Sequence, residues 1–306
     1  MFSNQALRKL IFPLVIEQVL VMLVGMADTA MISYAGEAAI SGVALVDMVN
    51  YLVITLLTAL ATGGAVIVSQ YLGSRDEQSS RCAAGQLMTV TFFVSLAIMA
   101  VCLLLHRAIL RLLFGAVDAD VMQAAVTYFF ITALSIPFLG VYNSSAALFR
   151  SMGKTRVTMY VSLLMNAINI AGNAVGVFVL RAGVAGVAVP TLIARAVAGV
   201  LMTRLAFRRK NVVSLAWEQI LCWKREMVSR ILKIAVPNAI ENGLFTLGRV
   251  LVTTIVATFG TSQIAANGIA SSVDMVAIIV VSAINLAIVT VVGQCVGANE
   301  YDQAVA

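Results

Sequence analysis

The chain is a succession of long apolar runs separated by short polar or basic connections. Eight runs reach the length of about 20 residues that a helix needs to cross a bilayer. They lie near residues 11–33, 43–70, 84–105, 122–148, 157–180, 184–206, 232–258 and 265–293. The first run is long, carries acidic residues and precedes similar runs, so it predicts a transmembrane helix rather than a signal peptide. The pattern predicts an all-α, polytopic membrane protein.

The beginning of the chain is repeated 224 residues later. The repeated residues keep both type and spacing: Lys9, Pro13, Glu17, Gly36, Gln70 and Gly73 recur as Lys233, Pro237, Glu241, Gly260, Gln294 and Gly297. Such a long repeat in an apolar chain indicates two related halves with the working site between them. We expect a complete six-helix lobe at 1–206, a cytoplasmic amphipathic linker at 207–230, and the first two helices of a second lobe at 231–306.

Composition and charge agree with this class. Hydrophobic residues make up 61% of the chain and charged residues 11%, whereas soluble domains carry about 25% charged residues. Most lysines and arginines lie in alternate connections, beginning with Arg8 and Lys9. The positive-inside rule therefore predicts a multi-pass protein of the cell membrane with a cytoplasmic N-terminus. Six spans return the chain to the cytoplasm, so the repeat is parallel.

Two acidic residues lie inside the first apolar run. Glu17 and Asp28 are eleven residues apart, three helical turns plus about 20°, so they share one helix face. An ionised group at the bilayer centre costs on the order of 2.5–3.5 kcal/mol, so both should face a cavity, find a partner or lose their charge. We expect one aqueous crevice to reach both. With Glu241 and Asn242 in the second half, Glu17 is a candidate for the substrate cleft.

The fifth run carries a polar stripe, Asn166, Asn169 and Asn173, at positions i, i+3 and i+7. Two interpretations stay open. The stripe can hold neighbouring helices together through hydrogen bonds, or it can hold the carboxylate of Asp28 or its protonated form.

Four further charged residues lie within or near the ends of runs. Arg195 and Arg249 need acceptors, and structural ion pairing is the favoured interpretation for both. Asp47 and Asp274 are related by the repeat, with a three-residue drift, and lie near the outer ends of their runs. A structural helix-end role is the favoured interpretation for this pair.

The sequence contains no HExxH, no GxSxG and no glycine-rich nucleotide motif, and it has one histidine. We therefore expect no enzyme activity and no cofactor.

Several segments together resemble the multidrug and toxic compound extrusion (MATE) family. They are residues 26–31 (Met-Ala-Asp-Thr-Ala-Met), 69–73 (Ser-Gln-Tyr-Leu-Gly), 148–156 (Leu-Phe-Arg-Ser-Met-Gly-Lys-Thr-Arg), the asparagine stripe, and 183–191 (Gly-Val-Ala-Gly-Val-Ala-Val-Pro-Thr). The resemblance implies a twelve-helix, cation-coupled exporter whose two six-helix lobes form a V-shaped cleft. It also implies that Asp28, Asn169 and Thr191 form a cation site in the first lobe. Asn173 lies beside it, where proton-coupled relatives carry an aspartate.

The resulting hypothesis is an antiporter that exports cationic, lipophilic molecules and is driven by H⁺, or by Na⁺ bound at Asp28. A flippase of the same superfamily for lipid-linked precursors or polysaccharides is an alternative, as is a non-transporting, truncated membrane protein. We expect the small-molecule substrate, the bilayer and the missing C-terminal helices of the full-length form as partners, and no nucleic acid. The isolated chain is not expected to transport unless two copies complement each other.

Overall fold

The computed structural model describes residues 3–114, 117–221, 223–257 and 261–305, in which all regular structure is helical. The helices are α1 (Asn4–Ser33), α2 (Glu37–Gly73), α3 (Glu77–Phe114), α4 (Ala119–Ala133), α5 (Ile136–Ser151), α6 (Thr155–Ala174, continued by a π-helical turn Val175–Val179), α7 (Ala185–Ala206), α8 (Trp217–Leu221), α9 (Arg225–Ala257), α10 (Thr261–Gly297) and α11 (Tyr301–Val305). The predicted all-α class is confirmed.

Six helices of the described chain are long and apolar enough to cross a membrane: α1, α2, α3, α6 with its π-helical turn, α7 and the second half of α10. The helices α4 and α5 form a further span that is bent by 48°. The predicted run 122–148 is therefore broken rather than straight. Pro137 has no N–H to donate to the carbonyl of Ala133, so the helix ends there and α5 begins in a new direction.

The seventh predicted run, 232–258, is covered by α9, which is continuous but more polar than the other long helices. It carries Glu241, Asn242 and Arg249 in its middle. Residue 258, the last of this predicted run, lies outside the described residues.

The helices α1–α7, named here the N-terminal bundle, enclose one large apolar core. Helix α2 contacts α3, α4 and α5 inside the bundle and also packs against α9 and α10. Helix α6 contacts both α1 and α7. The core includes Phe129, Phe149, Leu57 and Leu87, whose side chains are almost completely buried. Helix α2 is thus the main element that joins the bundle to the second half of the chain.

The two parts of the chain pack together at one end of the helices, the end where α1 and α6 begin and α2 and α10 finish. Leu10 and Leu14 of α1 contact Ala283 and Ala287 of α10 there. We call this the closed end. At the opposite, open end, the Cβ position of Gly25 in α1 has no neighbouring atom within 4 Å. The Cβ positions of Gly243 and Gly248 in α9 are equally unobstructed.

The segment between α7 and α9, for which the sequence predicts an amphipathic helix on the membrane surface, contains the five-residue helix α8. Gln86 Nε2 in α3 donates a hydrogen bond to the carbonyl of Gln219, and Gln86 Oε1 accepts one from the backbone N–H of Lys224. Thr89 donates to the carbonyl of Ile220. The segment is therefore held against α3 by buried polar side chains, and α9 begins directly after it.

Candidate ion-coupling site

Helices α6 and α7 approach each other closely because small residues face each other along their contact. A Cβ at Gly176 would overlap the backbone of Gly186, and a Cβ at Gly172 would collide with the ring of Pro190. Glycine removes the side chain that would hold the two backbones apart. This close approach brings the polar side chains of the two helices within hydrogen-bonding distance at the open end.

A chain of hydrogen bonds connects α7, α6 and α1 at this contact. Thr191 Oγ1 donates to the carbonyl of Val187 over 2.9 Å and accepts a hydrogen bond of 2.9 Å from Asn169 Nδ2. Asn173 Nδ2 donates to Asn169 Oδ1 over 3.2 Å and to Asp28 Oδ1 over 2.6 Å. The structure therefore brings together Asp28, Asn169 and Thr191, for which the family resemblance implies a cation site, and Asn173, which was expected beside them.

The four residues of this hydrogen-bonded group differ in their exposure to solvent. Asn169, Asn173 and Thr191 are buried, whereas Asp28 is half-buried at the open end. The Oδ1 atom of Asn173 is buried and has no hydrogen-bond partner among the described residues. A buried polar atom without a partner costs about 1–3 kcal/mol, so this oxygen is available to a ligand. Carboxylate, amide and hydroxyl oxygens are the ligands that hard cations prefer.

The π-helical turn Val175–Val179 begins two residues after Asn173. Such turns occur mostly as local interruptions of α-helices and are frequent at functional sites. Here the turn ends α6 directly beyond its last polar side chain.

Arg195 lies one helical turn after Thr191 on α7. Its Nη1 atom donates a hydrogen bond of 2.8 Å to Ser135 Oγ, at the break between α4 and α5. It also interacts electrostatically with Asp28 and Asp47. The acceptor of Arg195 could not be predicted from the sequence, because the position of Ser135 depends on the bend between α4 and α5. The spacing from Thr191 was the available signal that Arg195 faces the same site.

Asp47 was expected to have a helix-end role, but α2 begins ten residues earlier, at Glu37, and places Asp47 in the helix interior. This expectation is wrong for Asp47, because residues 37–42, which precede the predicted run, also belong to the helix. Asp47 is exposed on the open side, and its carboxylate lies near Asn50 and Tyr128. Asn50, three residues further along the same helix, could have been recognised from its spacing. The side chain of Asp274, the repeat-related residue, is exposed on α10.

Glu17 does not share a crevice with Asp28 in this structure. Its side chain is buried in the closed half, where Oε1 lies 3.4 Å from Arg150 Nη1 and Oε2 accepts a hydrogen bond of 2.9 Å from Thr158 Oγ1. The expected single crevice is absent from this part of the described structure, because α5 and α6 cover Glu17. The sequence indicated no partner for Arg150, although residues 148–156 contribute to the family resemblance.

The other predicted candidates lie apart from this hydrogen-bonded group. Glu241 and Asn242 are exposed on α9, and Asn242 Nδ2 donates to the carbonyl of Asn238 over 2.8 Å. Arg249 is also exposed on this helix. Asn166, the first residue of the stripe, is buried, and its Nδ2 atom has no partner within the described ranges. The stripe thus supplies two site residues rather than three.

Comparison with known proteins identifies the family. The MatE family model matches residues 13–175 and 237–306, which is more than half of the chain. The chain belongs to the MATE family. Members of this family are transporters and not enzymes, as the motif content predicts. With its long apolar helices, this MATE family member is a multi-pass membrane protein.

Two curated relatives cover almost the whole chain. The uncharacterized transporter YisQ of Bacillus subtilis (strain 168) is 30% identical over 99% of this chain and 69% of its own length. A probable multidrug resistance protein NorM of Thermotoga maritima is 28% identical over 95% of this chain. This MATE family chain spans only 63% of the length of the Thermotoga protein.

Solved structures agree on the fold. A MOP superfamily transporter from Pyrococcus furiosus, described as having a binding pocket of reverse polarity, aligns with a TM-score of 0.91 at 20% identity. It covers 98% of this chain and 66% of that protein. An outward-facing MATE family transporter also aligns with a TM-score of 0.91, at 19% identity over 98% of this chain and 66% of its own. At this identity the likeness establishes the MATE fold alone.

Proposed function

We propose that this protein is an antiporter that exports cationic, lipophilic small molecules, driven by a cation that binds at Asp28. The proposal rests on one observation above all. A carboxylate in a membrane-crossing helix contacts a buried amide, Asn173, whose oxygen has no partner. A permanent ion pair would explain Asp28 as a structural residue, but its hydrogen bond is to a neutral side chain that can change partners. The Thermotoga relative, named a probable multidrug resistance protein, supports the choice of substrate class.

The orientation follows from charge. The connections at the closed end carry most of the arginines and lysines, so we place this end in the cytoplasm and the N-terminus with it. The open end then faces outward, and an external cation reaches Asp28 without crossing the closed end. Residues 1–206 act as one lobe, 207–230 as the connection, and 231–306 as part of the repeat-related lobe in the cell membrane.

Coupling requires that the cation binds two arrangements of the lobe with different affinity. With Asp28 ionised, Asn173 Nδ2 stabilises the carboxylate by donating a hydrogen bond to it. A proton or Na⁺ at Asp28 removes or balances that charge, so this bond loses its electrostatic advantage. Asn173 can then turn its unpartnered oxygen towards the cation or the new hydroxyl. Helix α1 is thereby freed to repack against α6 and to change the shape of the substrate cavity.

Local charge favours a cationic substrate over the flippase alternative. A flippase for pyrophosphate-linked precursors needs a basic cavity. Within the N-terminal bundle, Arg195 shares its surroundings with two carboxylates, those of Asp28 and Asp47. The local balance is therefore acidic, and Arg195 is engaged by Ser135 as well.

The experiment is efflux of a cationic dye from cells that express the gene, under an imposed proton gradient or an imposed sodium gradient. Asp28→Asn should reduce coupled efflux at least about tenfold while the amount of protein in the membrane stays unchanged. The matched control is Asp120→Asn, which removes an exposed carboxylate from the first turn of α4 at the same end. Normal efflux by the Asp28 variant under both gradients would remove Asp28 from the mechanism. The gradient that drives efflux identifies the coupling ion.

A further inference from the structure

A cavity of about 560 Å³ lies at the closed end, where α1 and α6 begin. Three cations line it, Arg8, Lys9 and Arg156, together with the apolar side chains of Ile11, Phe12 and Val15. We propose that this cavity binds the headgroup of an anionic phospholipid. The proposal concerns a different end of the bundle from Asp28 and does not depend on the transport function.

Charge identifies the ligand as an anion. The cavity has no acidic residue in its lining, and its three cations are exposed. In the part of the chain that the structure describes, none of the three forms an ion pair. The acid nearest along α1 is Glu17, which is buried against Arg150 instead. Three unneutralised charges around one cavity fit a phosphodiester, which guanidinium groups bind with paired hydrogen bonds.

The apolar surroundings distinguish a lipid from a soluble anion. Phe12 is 68% exposed beside the cations, and Tyr160, one helical turn beyond Arg156, is 61% exposed. Both belong to helices that are long and apolar enough to cross the membrane, so they lie where headgroups meet acyl chains. A free phosphate would bind the three cations and leave the rings of Phe12 and Tyr160 exposed. A phospholipid covers both, with its phosphate on the arginines and its chains on Phe12.

The two helix ends that carry the cations are joined to each other. Pro13 of α1 also lines the cavity, and the carbonyl of Leu10 accepts a hydrogen bond of 3.0 Å from Thr155 Oγ1 at the start of α6. This bond fixes the spacing of the two helix ends, and therefore the distance between Arg8 and Arg156. The ligand class is a diacyl phospholipid with a net negative headgroup, such as phosphatidylglycerol.

The test is lipid retention by the purified 306-residue chain in a neutral detergent, measured by native mass spectrometry. Phosphatidylglycerol and phosphatidylcholine with identical acyl chains are compared. We expect preferential retention of phosphatidylglycerol and a loss of about tenfold in the double variant Arg8→Gln/Arg156→Gln. The control Arg209→Gln/Lys210→Gln removes two exposed cations of the same end that do not line the cavity, and it should retain the lipid like the wild type.

Three results would overturn the proposal: equal retention of the two lipids, equal loss in the cavity and control variants, or displacement of phosphatidylglycerol by millimolar inorganic phosphate. The last result would indicate a soluble-anion site. The thermal unfolding midpoint without added lipid shows whether the double variant folds. If it does not, Arg156→Lys and Arg156→Gln are compared, and the lysine variant should retain clearly more lipid. Equal retention by these two would also contradict the proposal.

Discussion

The backbone of Gly73 in α2 packs directly against the backbone of Gln294 in α10. A Cβ atom at Gly73 would overlap the carbonyl of Gln294, and a Cβ at Gly297 would overlap the carbonyl of Gln70. These four residues are two copies of one Gln-x-x-Gly pattern, 224 residues apart. The repeat recognised in the sequence thus contacts itself, and this reciprocal contact seals the closed end.

The same contact is strengthened by two hydrogen bonds from α10 to the end of α5. Thr290 Oγ1 donates to the carbonyl of Arg150 over 3.1 Å, and Gln294 Nε2 donates to the carbonyl of Ser151 over 2.7 Å. Both carbonyls belong to the last turn of α5, where carbonyls lack partners within the helix, and that of Arg150 also accepts a hydrogen bond of 2.8 Å from the N–H of Gly153. The closed end is therefore a specific polar and close-packed junction.

Gly73→Leu should destabilise the chain, because the side chain has no room between α2 and α10. Overpacking of this kind typically costs about 1–3 kcal/mol. The measurement is the thermal unfolding midpoint of the purified chain in detergent. Gly25→Leu in α1 is the control, since its Cβ position has no neighbour within 4 Å and leucine favours a helix. Equal midpoints for the two variants would show that this junction does not exist as described.

The ion pair between Glu17 and Arg150 should contribute far more to the free energy of unfolding than an exposed ion pair does. Glu17→Gln leaves the partly buried Arg150 without its carboxylate partner, which should lower the free energy of unfolding by about 3 kcal/mol. Glu226→Gln, which breaks the exposed pair with Arg230, should cost less than about 0.5 kcal/mol. Denaturant unfolding in detergent measures both.

A double-mutant cycle completes this comparison. Glu17→Gln combined with Arg150→Gln should cost less than the sum of the single variants, because neither charge is then left without a partner. Additive losses would mean that the two side chains do not interact.

Replacing Asn173 should reduce transport far more than replacing Asn166, although both residues lie on one polar stripe of α6. Asn173→Leu removes the donor to Asp28 and to Asn169 and should reduce coupled dye efflux at least about tenfold. Asn166→Leu replaces a side chain whose Nδ2 atom is buried without a partner, so efflux and stability should change little. Equal effects of the two changes would favour a purely structural stripe.

Asp76 should make the start of α3 sensitive to acid. The backbone N–H of Ser79 donates to its carboxylate over 2.9 Å and lowers the pKa of Asp76. Its stabilising effect is thus present above the unfolded pKa of about 3.9 and is lost as the pH falls through the lower, folded value. The stability difference between wild type and Asp76→Ala should shrink on acidification. A difference that does not vary with pH would contradict this role.

Much of the architecture could be predicted because the membrane restricts the possible patterns. Long apolar runs have to be helices there, so the spans followed from composition and length. Helical geometry also placed Asn169 and Asn173 on one face, where one of the two interpretations made them partners of Asp28. The spacing of residues within a single helix carried this information.

The missed contacts depend on how separate helices meet. Ser135 became the acceptor of Arg195 only because Pro137 breaks the span, and Arg150 reached Glu17 only because α5 ends beside α1. Gln86 and Thr89 are polar residues in an apolar run, and nothing in their sequence neighbourhood indicated the segment that they would hold. Such contacts between helices require the three-dimensional packing.

The attachment of Lys224 to Gln86 has a mechanical consequence for the helix that follows. Helix α9 starts at the next residue, so its first turn is attached there while the rest of this 33-residue helix projects towards the opposite side. At 1.5 Å per residue the whole helix is about 50 Å long, and a tilt of about 10° about its first residue would displace its far end by about 9 Å. A rotation too small to disturb the pivot would therefore open or shut a passage as wide as a drug molecule.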